Sequence, residues 1–136
     1  NYLGPVKLTH AFLPSMSEAG QGKLIYVASD AGRVGSGGET VYAGAKGGII
    51  AFAKSLAREV SRYQINVNCV CPGPTDTPLL QTRPEKMLEA LIAAIPLRRF
   101  AKPEEIAHAI QFFAAEGSEY ITGQVLSVSG GLTMVD

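Results

Sequence analysis

Apolar positions along the chain switch repeatedly between two periods. Residues 3–16 place Leu3, Val6, Leu8, Phe12, Leu13 and Met16 at near-helical spacing, with Pro5 tolerable only in a first turn. Glu18-Ala19-Gly20-Gln21-Gly22 ends this helix through glycine. Lys23 to Ser29 is a short apolar run rich in β-formers without strict alternation, the pattern of a strand covered on both faces. Asp30 to Thr40 holds four glycines and reads as a loop. Val41 to Tyr63 returns to the helical period, with Ile49, Phe52, Ala53, Leu56, Ala57 and Val60 on one stripe. Gly44, Gly47 and Gly48 near its start are poor helix formers and predict that backbone or a ligand packs closely there.

Gln64 to Cys71, through Ile65, Val67 and Val70, is a second buried strand, and Pro72-Gly73-Pro74-Thr75-Asp76-Thr77-Pro78 breaks regular structure. Residues 84–95 predict an amphipathic helix opened by Pro84 and closed by Pro96, with Met87, Leu88, Leu91, Ile92 and Ile95 inward. Lys102-Pro103-Glu104-Glu105 opens another, running to about Ala115, through an early proline and acids near the positive end of the dipole. Val125 to Val128 is a third short strand, ended by Gly130-Gly131. This order implies an α/β fold, a layered parallel sheet with right-handed crossovers. Three strands make a thin sheet, so they read as the last strands of a larger one, in a single domain over residues 1–136.

Composition narrows the function classes. The 136 residues, 46% hydrophobic, suffice for one core and not two. Twelve basic and twelve acidic side chains cancel, and Arg98-Arg99 is the only adjacent basic pair, so neither nucleic acid nor a membrane surface is an expected partner. No apolar run approaches the ~20 residues of a membrane span. Pro5, Lys7 and His10 occupy positions that a signal peptide keeps apolar, which points to a cytoplasmic chain. Cys69 and Cys71 share one face of a strand at a Cα separation of ~6.5–7 Å, which favours buried free thiols over a disulfide. His10 and His108 stand outside any metal-ligand spacing, so no metal site is expected. The chain starts at Asn1 without an initiator Met and already looks helical there, which leads to the expectation of a fragment or a processed form.

The sharpest chemical feature is Tyr42-Ala43-Gly44-Ala45-Lys46. Residues i and i+4 lie on one helix face, so the phenol and the ammonium can converge on one ligand. A tyrosine with its ordinary pKa near ~10 relays protons poorly at pH 7. Lowering it by about three units takes ~4 kcal/mol of differential interaction, for which a lysine charge in a dry site is suited. Alone, the spacing is common by chance and fits a solvated helix pair better. Ser29 ends a buried strand thirteen residues before Tyr42, at the edge where open α/β sheets bind ligands. The Pro72–Thr77 turn follows the next strand at the same edge and can present backbone N–H and C=O groups to an amide.

At Asn1, Ser29, Tyr42 with Lys46, and Pro72-Gly73 through Thr77, all in order and spacing, the sequence closely resembles the short-chain dehydrogenase/reductase family. Tyr120-Ile121-Thr122-Gly123-Gln124-Val125-Leu126 and Gly130-Gly131 also look like the family's last strand and tail. The resemblance spans essentially the whole chain and implies a Rossmann-like doubly wound sheet of which this is the C-terminal part. It implies Tyr42 as general acid/base, with Lys46 lowering its pKa and binding the nicotinamide ribose. Ser29 would polarise the substrate carbonyl, and Asn1 would hold a water of the proton relay. Pro72, Gly73, Thr75 and Thr77 would bind the nicotinamide half of the cofactor.

The family's glycine-rich phosphate loop is absent from these residues. Gly35-Ser36-Gly37-Gly38 does not replace it, because it precedes Tyr42 rather than joining a strand to a helix. The function therefore belongs to a parent protein, and the 136 residues alone are expected to be inactive. The residue that would choose between NAD and NADP is absent too. Residues 28–35 and 71–77 look most like 2-hydroxycyclohexanecarboxyl-CoA dehydrogenases, which use NAD. The 3-oxoacyl-acyl-carrier-protein reductases come next. An alcohol or ketone substrate is implied, an acyl-CoA among the candidates, together with a homo-oligomer (dimer or tetramer) formed through the first helix and the Tyr42 helix. Leu79, Leu80, Met87, Leu88 and Leu91 could cover an apolar substrate or pack as helix core. Two competing readings are a non-catalytic binding homologue and a serine hydrolase, which lacks a G-x-S-x-G elbow.

Overall fold

The computed structural model describes residues 1–135 and has helices on both faces of a three-stranded parallel sheet of order β1-β2-β3. Helix α1 (Leu3–Ala19) ends at Gly20, whose left-handed backbone returns its N–H to the Met16 and Ser17 carbonyls. β1 (Gly22–Val27) pairs with β2 (Ile65–Pro72) from Gly22 opposite Ile65 to Val27 opposite Val70. β2 pairs on its other side with β3 (Val125–Val128), Cys69 opposite Val125 and Pro72 opposite Val128. Between β1 and β2 run α2 (Ala31–Val34) and the long α3 (Thr40–Val60). Between β2 and β3 run α4 (Pro78–Gln81), α5 (Glu85–Ala94) and α6 (Pro103–Ala114).

Alternation along β2 organises the core. Ile65, Val67, Cys69 and Cys71 project to the α3 side and pack with Ile49, Ala53, Leu56 and Val60. Val70 projects to the other face, against Ile106 and Phe113 of α6. Asn68 is fully buried there, yet its amide is satisfied: it donates to the Ile121 carbonyl at 2.9 Å and accepts from the Gln124 N–H at 3.0 Å. Cys69 and Cys71 are free and buried, and burial lifts their thiols to about 12 and about 11. At α6, Pro103 takes the first turn and the Glu105 carboxylate accepts the Lys102 N–H at 2.7 Å, closing the helix start.

Four expectations need correction. The first strand stops at Val27, so Ser29 stands in a turn beyond it rather than at its end. Two single-turn helices, α2 and α4, occupy segments that read as loop and break. One turn is too short to show a period, and α4 is started by its Thr77 cap. Met87 is exposed rather than inward, and no residue of α5 is buried, Ile95 just beyond it excepted. Gly48, read as a point where backbone or a ligand packs closely, is instead covered by the Tyr2 side chain, whose ring would lie 3.2 Å from a Cβ there. Among the described residues no helix is long and apolar enough to cross a membrane.

Candidate active site

The helix α3, the turn after β1 and the turn after β2 carry the candidate residues to the carboxyl end of the sheet. Tyr42 and Lys46 occupy the first turns of α3, one turn apart. The Lys46 amine donates to the Val27 carbonyl at 2.8 Å and sits 5.7 Å from the centroid of the Tyr42 ring. Amine and ring therefore share one side of the helix. Burial pulls the Lys46 amine below the ordinary lysine value, against the opposing pull of the Cys71 sulfur. An ammonium has three donors and Val27 takes one, so two remain for another ligand. Among the described residues, nothing hydrogen-bonds the Tyr42 hydroxyl.

Ser29 lies two residues beyond the carbonyl that holds Lys46. Its Oγ accepts the Ala31 N–H at 3.2 Å, and its carbonyl accepts the Gly32 N–H at 3.0 Å, which fixes a tight turn. Gly32 sets that turn's depth against α3. A Cβ at residue 32 would stand 2.5 Å from the Gly47 nitrogen and 2.6 Å from the Lys46 carbonyl carbon. Only glycine allows this backbone-on-backbone contact, and it brings the Ser29 turn onto the helix that bears Tyr42 and Lys46. The close approach expected at the helix glycines is therefore real at Gly47, which faces Gly32, whereas Gly44 has nothing within 4 Å.

The turn after β2 is anchored on both sides. Gly73 donates to the Val128 carbonyl at 3.0 Å, and a Cβ there would meet Ser129 Cα at 2.7 Å. Thr75 pairs with Ala101, and its hydroxyl donates to the Gly73 carbonyl at 2.9 Å. Thr77 caps α4, its hydroxyl accepting the Leu80 N–H at 3.3 Å, so a structural task accompanies the one assigned to it by resemblance. Asn1 is exposed at the chain start. Among the described residues no hydrogen bond ties its side chain to Ser29, Tyr42 or Lys46.

Sequence reasoning missed Asp30. It is buried beside Ser29, accepts a 2.5 Å hydrogen bond from the Ser127 hydroxyl, and lies 3.6 Å from the Arg33 guanidinium. An acid shortly after a buried strand, and serines two apart at the end of another, were the available signals. The larger cavities lie elsewhere. A cleft of about 730 Å³ opens at the opposite end of the sheet between Lys23, Ile65, Glu116 and Tyr120. An apolar groove of about 680 Å³ runs along α1 and β1 past Leu8, Phe12 and Leu24. Neither of these cavities is lined by Ser29, Tyr42 or Lys46.

A family model described as Enoyl-(Acyl carrier protein) reductase matches residues 1–133. The 3-oxoacyl-[acyl-carrier-protein] reductase FabG of Thermotoga maritima is 40% identical over 134 residues, covering 98% of this chain and 54% of that protein. The (3R)-3-hydroxyacyl-CoA dehydrogenase of Rattus norvegicus is 41% identical over 135 residues, 98% of this chain and 52% of that protein. The crystal structure of a 3-oxoacyl-[acyl-carrier protein] reductase from Brucella melitensis superposes with a TM-score of 0.93 at 32% identity, over 99% of this chain and 51% of that one. The chain spans about half the length of the curated relatives it matches.

Proposed function

The chain belongs to the short-chain dehydrogenase/reductase family, and from that premise we propose that it carries the proton-transfer half of an alcohol/ketone oxidoreductase site. The observation that carries this reading is the Lys46 amine, pinned to the Val27 carbonyl one helical turn from Tyr42 and two residues from Ser29. Tyr42 gives its phenolic proton to the carbonyl oxygen during reduction and takes it back during oxidation. The Lys46 charge stabilises the negative charge that develops on the phenolic oxygen. Ser29, its own hydroxyl hydrogen free of the Ala31 contact, donates to the same substrate oxygen.

A nicotinamide dinucleotide, when bound, exchanges the hydride. The donor set fits its nicotinamide half: Lys46 keeps two donors for a ribose diol, and the Pro72–Thr77 turn holds backbone groups and the Thr75 and Thr77 hydroxyls at the same end of the sheet. NAD is the proposed partner, with NADP the alternative. The names of the relatives favour a 3-oxoacyl or 3-hydroxyacyl thioester on an acyl carrier protein or CoA. The loop resemblance favours an alicyclic hydroxyacyl-CoA. A cytoplasmic homo-oligomer is the proposed setting. No contact of Asn1 supports its role, so the reading rests on Ser29, Tyr42 and Lys46.

The test is Tyr42→Phe in the natural full-length protein, with acetoacetyl-CoA and each reduced dinucleotide. Turnover is expected to fall by roughly 10²–10⁴-fold while dinucleotide binding is kept. Reduction at the unaltered rate removes the proposal.

A further inference from the structure

Among the described residues the interior holds one charged side chain, and it is next to Ser29. Asp30 is only 7% exposed. Its Oδ2 accepts from the Ser127 hydroxyl on β3, and the Ser127 hydroxyl stands 3.0 Å from that of Ser129, just beyond the strand. Ser129 in turn accepts the Thr133 N–H at 3.2 Å. The other oxygen, Oδ1, has no hydrogen bond and faces Arg33 at 3.6 Å, while Arg33 also donates to the Val135 carbonyl at 3.0 Å. Burying a carboxylate costs several kcal/mol unless it is paired, so this position is specified by its partners rather than tolerated.

We infer that Asp30 is a positioning residue for Ser29: it ties the turn that carries the serine to β3 and, through Arg33, to the C-terminal segment. The inference rests on the proposed role of Ser29. The turn is then held from two sides, by Gly32 against α3 and by Asp30 against β3. Between these anchors the Ser29 backbone N–H favours the Cys71 thiolate, against the larger effect of burial that raises the thiol to about 11. Removing the Asp30 tie leaves the Gly32 contact as a pivot, so the serine hydroxyl shifts relative to Tyr42 while the helix-borne pair stays in place. A misplacement on the scale of 1 Å costs about 100-fold in a reaction that depends on orientation.

The experiment compares Asp30→Ala, Asp30→Asn and Ser127→Ala in the natural protein, with acetoacetyl-CoA as substrate and with thiol-reagent labelling of Cys71. Asp30→Ala is expected to lower kcat about 10- to 100-fold with little change in the dinucleotide KM. Asp30→Asn, which keeps an acceptor for Ser127, should recover part of that loss. In a Ser29→Ala background the further loss from Asp30→Ala should shrink to less than about 3-fold, because the residue acts through the serine. Cys71 labelling should accelerate in Asp30→Ala relative to Cys69. If Asp30→Ala does not fold, Ser127→Ala decides, with an expected loss of roughly 5-fold in kcat. Wild-type kcat in these variants, or an equal loss with and without Ser29, overturns the inference. Failure of the functional reading shows separately, as full turnover in Tyr42→Phe, and the Cys71 labelling rate then still reports on the tie.

Discussion

Two helical regions follow strands of the same sheet and are built in opposite ways. α3 buries Ile49, Ile50, Ala53, Leu56, Ala57 and Val60, whereas α5 buries none of its residues, and Leu79 on the preceding α4 is 75% exposed. Tyr42 and Lys46, the pair proposed to act together on a proton, are carried by the first. The segment that follows the turn proposed to hold the nicotinamide is the second. Dense packing locks rotamers and transmits position, which proton transfer requires. A thinly packed segment opens locally at small cost, which suits a cover over substrates of varying shape.

The largest expected effect breaks the packed side. Ile49 is 2% exposed under β2, and Ile49→Ala should destabilise the natural protein by about 2–5 kcal/mol in urea unfolding. The equivalent cut at Leu79, Leu79→Ala, should move stability by no more than about 0.5 kcal/mol. Equal losses at the two positions would erase the distinction between the regions.

A smaller effect sharpens it, at two glycines, Gly32 in the turn after β1 and Gly44 in α3. Gly32→Ala drives a methyl into the backbone of Lys46 and Gly47, and overpacking of this kind costs about 1–3 kcal/mol. Gly44→Ala, with nothing within 4 Å, should instead stabilise α3 by roughly 0.5–1 kcal/mol. Thermal unfolding of the two variants should shift in opposite directions.

The regular elements were legible because each spans enough residues to show a period: α3's stripe was correct at five of the six positions that are buried, and only Ile50 was missed. The Tyr42–Lys46 pair was legible because helical spacing alone fixes a relation between i and i+4. Single-turn helices carry no period, which hid α2 and α4 and, with α2, the turn that sets Ser29. Met87 misled because its spacing matches an inward face, while the depth of burial depends on what lies across from it. Asp30 was passed over for a related reason: its partner Ser127 stands 97 positions away, so the acid and the serine were legible singly and their contact was not.

The alkaline limb of stability adds a test confined to the packed side. Burial raises the Cys69 and Cys71 thiols to about 12 and about 11 from 9.0, and raises the Tyr26 phenol as well. The folded state keeps these protons longer than the unfolded chain, so their contribution is fully present below pH 9 and is lost as pH rises through the folded values. Lys46 acts with the opposite sign: its lowered value means the unfolded chain binds the extra proton, so its contribution grows with pH in that range. Three groups oppose one, and stability should stay level to about pH 9 and then decline toward pH 12. Cys69→Ala with Cys71→Ala should flatten the decline; an unchanged slope would show that the thiols do not titrate out of a buried state.

The smallest effect separates cover from core on the open side. Leu79 and Met87 are exposed, so their polar replacements Leu79→Ser and Met87→Ser remove little buried area and should leave urea midpoints nearly unchanged. If the segment covers substrate, the same changes withdraw apolar surface from the bound acyl group. At about 25 cal/mol per Å² over some tens of Å², that is a loss of roughly 1 kcal/mol, or about 5-fold in kcat/KM for a long acyl thioester. Acetoacetyl-CoA, with almost no chain to cover, should lose far less. A length-dependent loss at constant stability assigns the segment to substrate, because a structural weakening would lower both substrates' rates together. Equal rates for both thioesters in the two variants would leave α4 and α5 as scaffold only.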